Sequence, residues 1–123
     1  MSGADWYIAL FSLGSGLGII VFWIAAFVRG RFDEVAGGRE DIAFHTVAEL
    51  VTGAILAAGA VAILLDADGR AAELLSTLGL GLLLYSLLQS PGHYVARQDR
   101  RMVRTFAVTW VFAIPAVVLR FVA

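Results

Sequence analysis

Four stretches of this chain are long and apolar enough to cross a lipid bilayer, and that limits the fold more than any other feature. A helix needs about 20 largely apolar residues to span the hydrocarbon core. Trp6–Val28, Ile42–Leu65, Ala72–Ser90 and Met102–Val122 each come close to or exceed that length. The runs are too long for strands and lack period-two alternation. In lipid, only helices and closed barrels pair every backbone amide and carbonyl. The expected fold is therefore all-α: one domain over residues 1–123, an integral membrane bundle of four transmembrane helices. Composition points the same way. Hydrophobic residues make up 60% of the 123, against about 45–50% in soluble domains, and a core this small cannot bury the excess.

Missing residue types exclude whole classes of chemistry. The chain has no cysteine, which removes disulfides, thiolate metal sites, iron–sulfur clusters and thiol catalysis. All nine basic residues are arginine, so no lysine amine is available for a Schiff base. A formal net charge of −1 supplies no field for nucleic acid. The opening MSGADWYIAL carries Asp5 and no basic residue before the apolar run. It does not read as a cleaved signal peptide, nor as a myristoylation site.

Loop chemistry sets the neighbours. LDADGRA is a tight turn that makes the second and third spans an antiparallel hairpin, with Asp68 placed to cap the third. Pro91 and Gly92 in SPGHY are expected to end the third span. The first loop holds the Gly37–Gly38 pair, and Glu40 or Asp41 suits the N-terminal dipole of the second span. The first and third loops carry Arg29, Arg31, Arg39, Arg97, Arg100 and Arg101, with Arg104 just inside. The opposite side has only Arg70 and Arg120. The positive-inside rule then places both termini outside the cell membrane and the first and third loops in the cytoplasm. Trp6 and Tyr7 would anchor the outer interface, Trp23 and Tyr94 the inner one.

AFHTVAELVTG interrupts the second apolar run with His45 and Glu49. Glu49 lies seven residues past Ile42, about 10 Å into the span at about 1.5 Å per residue. A glutamate side chain is too short to reach the interface from there. His45, Glu49 and Thr52 share one helical face. At similar depth the third span offers Tyr85, Gln89 and His93, with Ser86 and Ser90 alongside, and the fourth offers Arg104, Thr105 and Thr109. The other half, with Ala57, Ala58, Ile63, Leu75, Leu80 and Val117, is expected to be dry.

Two readings of this layer compete. In the first, His45 and Glu49 are the ionisable centre of a cytoplasm-facing pocket that binds or transports a small solute or proton. Thr52, Tyr85, Gln89 and Arg104 would line or brace it. In the second, Glu49 and Arg104 form a structural ion pair in a non-catalytic accessory subunit of a larger membrane assembly. No cofactor is expected. A metal ion held by His45, Glu49 and His93, or a haem between the two histidines, is the weaker alternative. An enzyme is the less favoured class. SLGSGLG superficially resembles a nucleophile elbow but lacks the strand–turn–helix context. It reads better as two packing motifs, Gly14/Gly18 and Ser12/Gly16. Pro115 leaves the Val111 carbonyl without its helical donor, a tolerated kink. The partners expected are the lipid bilayer and either further copies of the chain or other subunits of a membrane complex.

Overall fold

A computed structural model describes residues 1–31 and 42–122. The Gly37–Gly38 pair, Arg39, Glu40, Asp41 and the side chains of Ile42 and His93 lie outside the described residues. Four helices follow in order: α1 (Gly3–Val28), α2 (Ile42–Leu65), α3 (Arg70–Ala96) and α4 (Arg100–Val122). All four are long and apolar enough to cross a membrane, and no strand occurs among the described residues.

The helix ends follow local chemistry. At the start of α1, the Asp5 amide donates to Ser2 Oγ (3.1 Å) while the Ser2 amide donates to Asp5 Oδ2 (3.0 Å), a reciprocal capping box. α1 ends on Gly30 at φ +66°, where Arg31 N–H reaches the Ala26 carbonyl (2.8 Å). The α3–α4 turn repeats this geometry with Gln98 at φ 57°: Asp99 N–H reaches the Tyr94 carbonyl at 2.9 Å. Asp99 then caps α4 by accepting from the Met102 amide (3.2 Å). At α3 the capping position falls to Gly69, whose carbonyl accepts Glu73 N–H (3.1 Å), and not to Asp68.

The helices pack in sequence, α1 on α2, α2 on α3 and α3 on α4, and α1 closes on α4. Glycine sets the two tightest seams. A Cβ on Gly16 would stand 2.6 Å from the Gly53 carbonyl oxygen, and one on Gly53 would stand 2.8 Å from that of Gly16. Here α1 and α2 touch backbone to backbone. Gly59 meets the Ser76 backbone in the same way across the α2–α3 hairpin. Gly16 with the fully buried Ser12 thus behaves as a packing motif. Gly14 and Gly18 make no close seam within the chain, since a Cβ on either would meet nothing within 4 Å.

α3 does not stop at Pro91; it runs on to Ala96. Proline has no N–H, so the Leu87 carbonyl four residues earlier loses its helical donor. The indole of Trp110 on α4 supplies the replacement, with Nε1 donating to Leu87 O at 3.1 Å. Leu87, Ser90 and Tyr94 are all buried, so packing holds the helix together through the proline. Pro115 lies inside α4. One residue beyond the carbonyl it orphans, Tyr7 Oη donates to Phe112 O (2.8 Å) and ties α1 to α4.

The half remote from the α1–α2 and α3–α4 connections is less dry than its sequence suggests. Arg120 Nε donates to Ser76 Oγ (3.0 Å), and its Nη2 donates to the Glu73 carbonyl (3.2 Å). The outward faces stay apolar, with Leu10, Leu17, Val21, Leu78, Val111 and Val118 all exposed.

Candidate functional site

The polar layer assembles around one carboxylate. Glu49 Oε2 accepts from Trp23 Nε1 on α1. Oε1 accepts from Ser90 Oγ at 3.0 Å and Ser86 Oγ at 3.4 Å, both on α3. His45 Nε2, one turn earlier on α2, lies 3.3 Å from the same oxygen. The carboxylate therefore joins three helices. The His45 and Trp23 rings also meet at a steep angle, centroid to centroid 6.2 Å. The side chains of Glu49 and His45 are only 13% and 11% exposed. A buried carboxylate needs a hydrogen bond on each oxygen to be tolerated, and these four groups supply them.

The pairing of His45 and Glu49 follows from their i, i+4 spacing. Thr52 is buried on the same helix, but its hydroxyl is turned back to the Ala48 carbonyl (2.8 Å). Three other sequence candidates are not brought to the carboxylate. Tyr85 is 63% exposed, and Gln89 and Arg104 are also exposed. Among the described residues no ion pair joins Arg104 to Glu49; Thr105, Phe106 and Thr109 of α4 line the neighbouring cavity, and Arg104 does not. The His93 side chain lies outside the described residues, and no group of three His, Asp or Glu side chains with metal-binding spacing occurs among those described.

On α3 the stripe that meets Glu49 is Ser86/Ser90 and not Tyr85/Gln89. Tyr85/Gln89 and Ser86/Ser90 are adjacent i, i+4 pairs, about 100° apart around the helix. The serines face inward because Ser76, Leu80, Leu83, Leu87 and Ser90 form the buried seam. Side-chain size was the available signal, since small residues favour helix contacts in lipid. Trp23 was missed because tryptophan usually marks an interface. Here it is 1% exposed and belongs to the carboxylate.

Beside this cluster lies a partly open cavity of about 380 Å³ between α1 and α4. Glu49 and Ser86 reach its wall, while Phe22, Leu83, Tyr94 and Phe106 make much of the remainder. Gly14 and Gly18 line it on the α1 side, both exposed. Glu49 is the only Asp, Glu, Lys, Arg or His side chain among its described lining residues. The arrangement is one anchored negative group at the edge of an apolar chamber. The hydroxyls of Ser86 and Ser90 donate to this carboxylate.

The family described as a domain of unknown function (DUF8058) matches the chain over residues 4–123. No curated protein and no solved structure matches it.

Proposed function

The chain belongs to the DUF8058 family, and we propose that it is a four-span integral membrane protein whose Glu49-centred cavity binds or moves a small solute or a proton. One observation carries the reading. Glu49 is a largely enclosed carboxylate, hydrogen-bonded by Trp23, Ser86 and Ser90 and paired with His45, and it reaches the wall of a chamber large enough for a small molecule. Ligand sites commonly have this form: mostly apolar walls, a few fixed polar groups and a volume of about 300–1,000 Å³. Ionisable side chains within membrane spans are expensive and usually serve function.

The arginine distribution supports an orientation with both termini outside and the first and third loops in the cytoplasm. The cavity then opens in the cytoplasmic half. With only four spans, the chain is proposed to work as a homo-oligomer or within a larger complex. The absence of native cysteine makes the topology directly testable: single cysteines introduced in place of Ser2 and Gln98 should label from opposite sides of sealed cells.

A second reading keeps Glu49 purely structural. The observation favouring it is that the carboxylate joins α1, α2 and α3. Thermal unfolding of wild type and Glu49→Gln separates the two, measured across pH and against a panel of small ions and solutes. Stabilisation by a ligand or by pH that disappears in Glu49→Gln supports the binding site. An equal loss of stability under every condition, with no ligand effect in wild type, makes Glu49 a staple.

A further inference from the structure

The cavity also says which kind of molecule it suits. We infer that it takes a lipophilic monocation, a tertiary or quaternary ammonium or phosphonium with a compact apolar body, admitted sideways from the bilayer between α1 and α4. This deepens the proposed function and rests on Glu49 being a binding centre.

Three observations carry it. The first is charge. Glu49 is hydrogen-bonded by neutral donors and, among the described residues, its one ionisable partner is His45; no arginine among them lines the chamber. An enclosed carboxylate in that setting is complemented by one positive charge. The second is the wall. Phe22, Tyr94 and Phe106 present aromatic surface, with the last two rings 5.5 Å apart. Aromatic faces attract weakly hydrated cations that cannot donate strong hydrogen bonds. A bare metal ion is poorly served, because it would need several oxygen or nitrogen ligands. The third is access. Gly14 and Gly18 are exposed on the cavity wall, and a Cβ at either would meet nothing within 4 Å. Within the chain these glycines make no close helix contact. They keep the α1 side of the opening low.

The same geometry supplies a clean blocking variant. Gly18 lines the opening and a Cβ there meets nothing within 4 Å, so Gly18→Leu starts its side chain in open space and not in the Gly16–Gly53 seam. It also removes a helix-interior glycine, which favours folding.

Tetraphenylphosphonium and tetraphenylborate have nearly the same shape and opposite charge, so they isolate the charge requirement. Binding of each to the full-length protein in lipid nanodiscs would be measured by equilibrium dialysis. Wild type should retain the phosphonium at least about tenfold more strongly than Gly18→Leu or Glu49→Gln, a difference of about 1.4 kcal/mol. The borate should show no dependence on either substitution. The inference is overturned if the phosphonium fails to bind, or if Gly18→Leu retains it as well as wild type does. It is likewise overturned if borate and phosphonium respond alike to Glu49→Gln. A parallel thermal-unfolding screen of wild type and Glu49→Gln against small ions and solutes distinguishes the two levels of failure. If the phosphonium does not bind but another solute stabilises wild type and not Glu49→Gln, the ligand class is wrong and the binding centre stands. If neither occurs, both readings fall.

Discussion

The indole N–H of Trp23 donates to the carboxylate of Glu49 across the α1–α2 interface, and through this bond α1 holds a carboxylate that also reaches α3. The relationship explains two residues at once. Trp23 is buried because its donor has a partner inside, and Glu49 is tolerated because its oxygens are satisfied.

Replacing Trp23 with Phe keeps an aromatic ring and removes the donor. Bonds to charged groups contribute about 1.5–3 kcal/mol, against about 0.5–1.5 kcal/mol for neutral pairs. Trp23→Phe should therefore cost more stability in the wild-type background than in the Glu49→Gln background. A double-mutant cycle by denaturant unfolding in detergent should return a coupling of about 1 kcal/mol. Additive effects would mean that the bond contributes nothing.

The glycines of α1 should divide cleanly. Gly16→Ala forces a methyl into the α2 backbone and should destabilise by about 1–3 kcal/mol, the usual cost of overpacking. Gly18→Ala enters open space and should be neutral or stabilising by up to about 1 kcal/mol. Thermal unfolding of the two variants side by side tests the assignment. Similar losses at both positions would contradict it.

Trp110 and Pro91 form a compensated pair across α3 and α4. Trp110→Phe strips the Leu87 carbonyl of its donor and should cost about 1 kcal/mol or more. Adding Pro91→Ala restores a backbone N–H at that position, so the double variant should recover much of the loss. Circular dichroism melts of the three variants check this. No recovery would mean that the indole bond is incidental.

Much of the architecture was legible because length and apolarity alone specify helices that suit a bilayer. The His45–Glu49 pair was legible from its spacing. What the sequence hid was helix rotation. In water, an apolar stripe tells which face turns inward. Around α3 and α4, inward and outward residues are almost equally apolar, so Ser86 and Ser90 could not be separated from Tyr85 and Gln89 by hydropathy. Arg104 shares the depth of Glu49 but not its azimuth, and depth says nothing about azimuth. The passage of α3 through Pro91 is hidden for another reason. The donor that rescues its orphaned carbonyl comes from Trp110, nineteen positions further along the chain, and no local rule anticipates that.

The most direct test of the central claim is the nitrogen-15 indole resonance of Trp23, compared between wild type and Glu49→Gln in detergent micelles. Trp6 and Trp110 serve as internal references, since neither contacts Glu49 among the described residues. The account predicts that the Trp23 signal, assigned by its loss in Trp23→Phe, stands apart from those of Trp6 and Trp110 in wild type and moves in Glu49→Gln, while the other two stay fixed. A Trp23 signal at the same position in wild type and Glu49→Gln would contradict it.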